Sequence, residues 1–286
     1  MTVKAASERR FRKPLAFFCL SLAVIAVVLL FFGGALRRLV RESLMQRVTS
    51  AHYEILCPAG TLPLDAMTEF LTQREPRFAA LDKKLGDAAS NLEIRIVLDP
   101  NFVAPPAGGI AQQPYSVVGT TIRTKLSGRT PQLPATADAE ALLFAAWGKP
   151  GNTQIARWTA IWLVGDWHGA EIGMTAAQVE QRLGHQRVAT LLTNPAGEIS
   201  SPDDQAVLGA AWISEIAEFG GTGAVRKLYA AKMPHPNVTE VTKALGTTSL
   251  ELDRKWQLWM YSYLAGMSAM PRGSAMPMNM PMPGEH

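Results

Sequence analysis

A short run of charged residues past the middle of the chain carries the side-chain types that most often do chemistry. Between Asp166 and Glu171 the sequence places an aspartate, the histidine His168 and a glutamate within six residues. A histidine beside carboxylates can form an acid–base pair or supply ligands to a metal ion. A lone histidine of this kind can equally cap the carboxyl end of a helix. The sequence therefore leaves open an atypical hydrolase site formed by Asp166, His168 and Glu171.

Alternating methionines near the carboxyl end form a second candidate site. They lie in a low-complexity segment, residues 266–286, which we expect to be disordered because its proline density and few aliphatic residues cannot build a core. Thioethers are soft ligands that select Cu(I), so this segment is either a copper-binding strip or a flexible docking strip that uses adaptable methionines. The alternating residues are Met276, Met278, Met280 and Met282.

An uncharged apolar run from Leu15 to Leu36 is flanked by basic residues on both sides. At about 1.5 Å per residue, a helix of this length crosses a hydrocarbon core of about 30 Å. We therefore predict a cytoplasmic basic N-terminus over 1–13 and a single transmembrane helix over 14–36. A cleavable signal peptide is the alternative, since Gly33-Gly34-Ala35 resembles a cleavage site, but the run exceeds a typical signal core of about 7–15 residues.

The distribution of charge indicates where the rest of the chain lies. Basic residues before the run slightly outnumber those after it, which favours a bacterial inner-membrane protein with its domain on the extracytoplasmic side. The net charge of +4 comes without a basic stripe interleaved with aromatic residues, so we expect no nucleic acid partner. We expect two partners, the lipid bilayer and a membrane or extracytoplasmic protein. Cys57 stands alone after the span, which excludes a disulfide framework within the domain.

The pattern of apolar residues predicts an α+β fold. After a juxtamembrane amphipathic segment over 37–50, a small α/β subdomain is expected over 51–134 and a helical subdomain over 135–265. The smaller subdomain should contain strands at 52–57, 92–98 and 115–123 and one helix at 64–85; the third strand is either a single strand or one half of a hairpin with 125–130. The helical half should contain helices near 137–147, 153–167, 175–184, 202–219, 222–232, 238–245 and 248–265.

Three short motifs predict where helices of the second half begin. Thr175 to Gln178 and Thr248 to Glu251 have the spacing of a capping box, in which a hydroxyl accepts from the third amide. Ser201 precedes a proline and two aspartates, a sequence typical of a helix N-terminus. The seven tryptophans fall mostly on apolar helix faces, where we expect them to pack in the core.

The order of these elements resembles that of peptidase-MA-type gluzincin domains, over roughly residues 52–264. In that family a helix after the sheet carries His-Glu-x-x-His, which binds zinc and activates water, and the next helix supplies a glutamate ligand. The best superposition aligns Ala139 and Leu143 with the two histidines and retains Glu140 as the glutamate. Ile161 or Gly165, depending on the register, occupies the third ligand position.

The resemblance implies a zincin-like domain without its metal ligands and without a cofactor. Such a pseudoenzyme would act by binding, as a scaffold or an accessory subunit of a membrane complex. Glu140 then has two interpretations. It is either an exposed residue of the first helical turn, where the helix dipole favours an acid, or a remnant of the catalytic machinery. A general base without a metal-bound water has little to activate, so the sequence favours an exposed residue of the first helical turn.

Overall fold

A computed structural model describes residues 42, 44–104, 114–126, 133–194, 197, 199 and 201–269 of the chain, with the side chains of 267–269 left out. Among these residues, no helix is both long enough and apolar enough to cross a bilayer. The predicted transmembrane helix over 14–36, the signal-peptide alternative and most of the methionine-rich tail lie outside the described residues. They remain predictions from the sequence.

A five-stranded mixed sheet forms the first half of the described structure. Its order is β1-β2-β3-β5-β4; β2, β3 and β5 run parallel, and the edge strands β1 and β4 are antiparallel to their neighbours. The strands are β1 Met45–Thr49, β2 Tyr53–Pro58, β3 Ile94–Leu98, β4 Tyr115–Val118 and β5 Thr121–Thr124. The predicted α+β class is confirmed as a mixed α/β architecture.

The structure changes two expectations about this sheet. Within the segment predicted as juxtamembrane over 37–50, Met45–Thr49 pairs with β2 as an edge strand, which satisfies its backbone groups within the sheet; its position next to a membrane stays a prediction. The expected single strand over 115–123 is a hairpin, because Gly119 has φ +63° and turns the chain at its middle. Strand β5 therefore pairs with β4 rather than with the residues that follow it.

Side chains alternate between the two faces of this sheet. Tyr53, Ile55 and Ile96 lie on the face that the helices cover and belong to one buried apolar cluster. The opposite face, which we call the outer face, carries two rows of residues that are aligned across the strands. One row is Thr49, Glu54, Arg95, Thr121 and Val118; the other is Arg47, Leu56, Val97, Arg123 and Ser116.

Eight helices and a small second sheet complete the described part. A two-stranded ribbon, β6 Asp166–Trp167 and β7 Ala170–Glu171, interrupts the helical half. The helices are α1 Leu64–Lys84, α2 Ala135–Trp147, α3 Thr153–Val164, α4 Ile172–Leu183, α5 Val188–Thr193, α6 Pro202–Ala230, α7 Val238–Leu245 and α8 Ser249–Ala269.

Most predicted helix starts are confirmed, with one exception. The Ser201 hydroxyl accepts from the Asp204 amide at 3.4 Å, and Thr248 accepts from the Glu251 amide at 3.2 Å, as their spacing predicts. Thr175 is not a cap, because helix α4 begins three residues earlier, at Ile172. The Thr175 hydroxyl instead donates to the Glu171 carbonyl oxygen at 2.9 Å. Helix α5, only six residues long, escaped the sequence analysis.

Two buried apolar clusters hold the molecule together. The first joins the sheet to α1, α2 and part of α3, and the second joins α3 to the remaining helices. Helix α3 contributes to both because its two faces are apolar, so it couples the sheet to the helical half. The expectation of tryptophans in the core is confirmed for Trp158, Trp212 and Trp256, which are among the largest fully buried side chains.

Candidate functional site

A cavity of about 1080 Å³ lies between α1, the start of α2, α3 and the β6–β7 ribbon. We call it the interhelical pocket. Its volume is just above the range of about 300–1,000 Å³ that is typical of ligand sites. The lining mixes apolar and charged side chains, among them Phe70, Arg74, Arg77, Leu81, Lys84, Tyr115, Thr136, Arg157, Trp167 and His168.

Four polar side chains form a hydrogen-bonded cluster at one wall of the pocket. The Tyr115 hydroxyl lies 3.0 Å from both Oε1 of Glu140 and the Thr136 hydroxyl. Arg157 donates to the Tyr115 oxygen at 2.8 Å and to Glu140 at 3.3 Å. Three of the four line the pocket, and Glu140 lies behind them. We call this group the Glu140 cluster.

Three different elements bring the Glu140 cluster together. Tyr115 is the first residue of the edge strand β4, Glu140 lies on α2, and Arg157 lies on α3. Asn152 accepts from the Ile155 amide at 3.0 Å, and this cap fixes the start of α3 so that Arg157 points towards α2. The cluster therefore depends on the packing of α2 between the sheet and α3.

The structure corrects the expectation that Glu140 is an exposed residue of the first helical turn. Its side chain is half-buried and bonded to Tyr115 and Arg157. Burial raises its pKa to about 7, against the opposing effects of the arginine charge and the tyrosine hydrogen bond. A carboxyl group titrating near neutral pH beside a pocket is a candidate functional group, and here its immediate partners are an arginine and a phenol.

Replacing Glu140 by glutamine should reduce the pH dependence of stability. A carboxyl group whose pKa rises from 4.5 to about 7 on folding stabilises the fold most below pH 4.5, and this contribution is lost as the pH rises to about 7. Relative to wild type, Glu140→Gln should therefore gain up to about 3 kcal/mol of unfolding free energy across that window. Urea unfolding at a series of pH values measures it. The exposed Glu93→Gln should run parallel to wild type, and an unchanged slope in Glu140→Gln would contradict the assignment.

A second buried ion pair lies close to the pocket. Arg74 of α1 donates to Oδ2 of Asp138 on α2 at 2.5 Å and to the Leu133 carbonyl oxygen at 3.1 Å. Asp138 is fully buried, and burial raises its pKa while the Arg74 guanidinium opposes that effect. Sequence reasoning missed this pair because its members are 64 residues apart and Asp138 resembles an ordinary first-turn acid.

The positions aligned with the zinc motif are occupied by core side chains. Ala139 and Leu143 on α2 and Ile161 on α3 are all fully buried within the apolar clusters. Gly165 ends α3 in a left-handed conformation, and the Lys84 ammonium donates to the Leu163 carbonyl oxygen beside it at 2.9 Å. A catalytic zinc site needs three N, O or S ligands and an open position, and these four residues offer neither.

The predicted Asp166, His168 and Glu171 site is a tight two-residue turn. His168 and Gly169 both have positive φ and connect β6 to β7, and His168 is exposed at the tip. Asp166 accepts from the Gly169 amide at 3.1 Å, and Glu171 accepts from the Tyr263 hydroxyl at 3.0 Å. The three residues are therefore close in the ribbon, yet the hydrogen bonds described for both carboxylates go elsewhere than to His168.

No metal centre is formed by the residues that the structure describes. Within them, no three side chains of histidine, cysteine, aspartate or glutamate are grouped so that they could hold an ion. The four alternating methionines of the tail, from Met276 to Met282, lie outside the described residues, so the copper hypothesis stays a prediction.

Comparison with known proteins gives no information about the site. The chain matches no family model, no curated protein and no solved structure.

Proposed function

We propose that this chain is a single-pass, membrane-anchored binding domain that serves as a scaffold or accessory subunit of an inner-membrane complex, on the extracytoplasmic side. One observation carries the proposal: the positions that the peptidase resemblance assigns to zinc ligands are packed in the core, while an open pocket lies beside them. Ala139 and Leu143 are fully buried, and the interhelical pocket of about 1080 Å³ remains.

The proposed relationship to zincin-like domains rests on the order of the elements. A strand, a long helix ending near a glycine, a second strand, a β-rich segment and a helical half follow one another in the order on which the resemblance rests. Glu140, the glutamate that the superposition retains from the motif, accepts hydrogen bonds from the Tyr115 hydroxyl and the Arg157 guanidinium. We infer that the catalytic centre of an ancestral peptidase has been replaced by the Glu140 cluster, whose hydrogen bonds link β4, α2 and α3.

The pocket suits a segment of a partner protein. Phe70, Leu81 and Trp167 offer apolar contact, and Arg77 and Arg157 offer donors to carbonyl or carboxylate oxygens. Pockets with mainly apolar walls and a few placed polar groups bind ligands specifically. The Glu140 cluster holds Arg157 in one orientation, which limits the entropy lost when a ligand binds.

Site-specific photo-crosslinking tests the binding function. A benzoylphenylalanine placed at Gln73, an exposed residue lining the pocket, should give one discrete adduct in native membranes that express the full chain. The same group at Thr239, exposed on α7 away from the pocket, should not give it. Equal crosslinking from both positions, or none from Gln73, would contradict a partner seated in the pocket.

Elemental analysis and peptide hydrolysis test the absence of catalysis. We expect the purified full chain to carry no stoichiometric zinc and to cleave no peptides, because the aligned ligand positions are Ala139, Leu143 and Ile161. One zinc per chain together with peptide cleavage would refute the proposal. If cleavage occurs and His168→Ala abolishes it, the hydrolase site around Asp166 and Glu171 becomes the function instead.

A further inference from the structure

The hydrogen bonds of the Glu140 cluster can run in two directions. With Glu140 ionised, the Tyr115 hydroxyl donates its one hydrogen to Oε1 of the carboxylate at 3.0 Å. The Tyr115 oxygen then accepts from Arg157 at 2.8 Å and from the Thr136 hydroxyl at 3.0 Å. The hydroxyl hydrogen of Thr136 is therefore used inside the cluster as long as Glu140 is charged.

Protonation of Glu140 reverses this chain of hydrogen bonds. A neutral carboxyl group has a hydrogen of its own, which it can donate to the Tyr115 oxygen through the same contact. The tyrosine then donates its hydrogen to the Thr136 oxygen, and the Thr136 hydrogen becomes available to a ligand, since Thr136 lines the pocket. A neutral Glu140 thus gives the pocket one more hydrogen-bond donor and one negative charge less.

The titratable groups that face Glu140 come from three other elements. They are Tyr115 of β4, Arg157 of α3 and Tyr229 of α6. Burial raises the pKa of both tyrosines, so they stay neutral around neutral pH. Burial also raises the pKa of Glu140 to about 7. Glu140 is therefore the member of this group that changes its charge near neutral pH, next to a guanidinium that lines the pocket.

A second guanidinium lies near the same part of the pocket. Arg77 of α1 is exposed and lines the pocket. Burial raises the pKa of Asp138, and the charges of Arg74 and Arg77 oppose that rise, so Arg77 lies close to the first turn of α2. Thr136 belongs to this turn. Guanidinium groups match the two oxygens of a carboxylate in geometry and charge.

The acidic residues of the pocket lining are compensated in other ways. Glu69 lies about 12 Å before Arg77 along α1. Asp166 accepts from the Gly169 amide at 3.1 Å, and Asp203 lies in the first turn of α6, where the helix dipole favours an acid. The part of the pocket at the start of α2 is therefore the part that suits an anionic group.

We propose that the interhelical pocket binds a carboxylate group of the partner segment beside Arg157, Arg77 and Thr136, and that Glu140 takes up one proton from solvent as the carboxylate binds. The inference rests on the proposed function, because it names the chemistry of the segment seated in the same pocket. A second negative charge next to Arg157 disfavours the ionised form of Glu140, so the bound carboxylate and the bound proton stabilise each other. Binding is therefore strongest below neutral pH.

Fluorine NMR of the full chain in neutral detergent micelles tests the proposal with a matched pair of small probes. One probe, N-acetyl-para-fluorophenylalanine, has a carboxylate and an aromatic ring that suits the apolar contacts of Phe70 and Trp167. The other probe is its carboxamide, which has the same ring and no charge. Empty micelles are measured in parallel, so that partitioning of each probe into the detergent is subtracted.

We expect the acid to bind more tightly than the carboxamide at about pH 6. The dissociation constant of the acid should rise by up to about thirtyfold between about pH 6 and about pH 8.5, because one proton is linked to binding and the pKa of Glu140 is about 7. The probe carboxylate stays ionised over this range. Equal binding of the two probes, or binding of neither, would overturn the carboxylate contact. A dissociation constant that does not change with pH would overturn the uptake of a proton.

Replacing Glu140 by glutamine should strengthen binding where the wild type is weakest. The glutamine amide donates to the Tyr115 oxygen at every pH, as the protonated carboxyl group does. The variant should therefore bind the acid at about pH 8.5 as tightly as the wild type does at about pH 6. Misfolding would not produce such a gain. A pH dependence that persists in Glu140→Gln, for example one arising from His168 in the pocket lining, would overturn the role of Glu140.

Two double variants test the contact with Arg157. Glu140→Gln/Arg157→Gln leaves no half-buried carboxylate without its cation, and Glu140→Gln/Arg226→Gln makes the same change of charge at an exposed position of α6 outside the pocket lining. We expect the Arg157 variant to lose the preference for the acid over the carboxamide and the Arg226 variant to keep it. A preference that survives Arg157→Gln would overturn the assignment of this arginine.

Crosslinking from Gln73 separates this inference from the proposed function. A discrete adduct at Gln73 together with equal binding of the acid and the carboxamide would leave the binding function in place and overturn only the carboxylate contact. Absence of the adduct would refute the seated partner, whatever the two probes show.

Discussion

Replacing Arg74 by methionine should lower the free energy of unfolding by about 3–5 kcal/mol. The substitution keeps the length of the side chain but removes the charge that faces Asp138, whose side chain is 0% exposed. A buried carboxylate without its partner keeps its desolvation cost and loses the compensating attraction. It also loses the donor to the Leu133 carbonyl oxygen. Urea unfolding of the full chain in detergent, followed by tryptophan fluorescence, measures the effect.

A surface ion pair provides the matched control. Arg182 donates to Asp204 at 2.7 Å, and the arginine side chain is 61% exposed. Exposed pairs contribute about 0–1 kcal/mol, so Arg182→Met should change stability by no more than that. The double variant Arg74→Met/Asp138→Leu should recover most of the loss, since it removes the buried charge as well as its partner. Equal losses in the two single variants would show that Arg74 and Asp138 are not coupled as the structure describes.

Replacing Gly209 by alanine should destabilise the chain by about 1–3 kcal/mol or more. Helix α6 approaches α3 so closely at this point that a β-carbon on Gly209 would lie 2.1 Å from Cε2 of Trp158. The indole is almost fully buried and packs edge-on against Trp212 at a centroid distance of 6.2 Å, so it has no room to move away. Overpacking at this junction should loosen the contact between α3 and α6.

Gly223 on the same helix serves as the control. A β-carbon there would meet nothing within 4 Å. Gly223→Ala should therefore stabilise the helix by up to about 1 kcal/mol through its higher helix propensity. The double variant Gly209→Ala/Trp158→Phe should recover part of the loss, because the smaller ring frees space for the new methyl group. Similar stability of the two single glycine variants would argue against the close packing of α6 on α3.

Local patterns in the sequence predicted much of the fold. The helix over 64–85, the strands around residues 55 and 96 and most helices of the second half appear near the expected positions, because apolar periodicity and caps act within a few residues. The break predicted between 219 and 222 is also present, since Gly221 has non-helical angles inside α6. Strand β1 was misassigned because its residues alternate weakly and its partner strand supplies the stabilising bonds.

The contacts of the candidate site could not be predicted from neighbouring residues in the sequence. The sequence singled out Glu140 through a resemblance, but nothing within ten residues of it indicates Tyr115 or Arg157 as partners. The hairpin turn at Gly119 could have been anticipated from a glycine followed by threonines inside a β-branched run. Ala139, Leu143 and Ile161 are buried, as expected for apolar residues. Asp138 is also buried, although a charged residue is expected at the surface.

The sequence by itself determined where most of the helices and the central strands lie, and it predicts an apolar anchor at one end and a methionine-rich tail at the other. These features depend on composition and periodicity, which act over short stretches of chain. Only the tertiary structure decided that Arg74 meets Asp138, that Arg157 meets Glu140 and that a pocket opens between α1 and α3. Side chains separated by many residues can be paired only after the sheet and helices have packed, because packing sets both their distance and their burial.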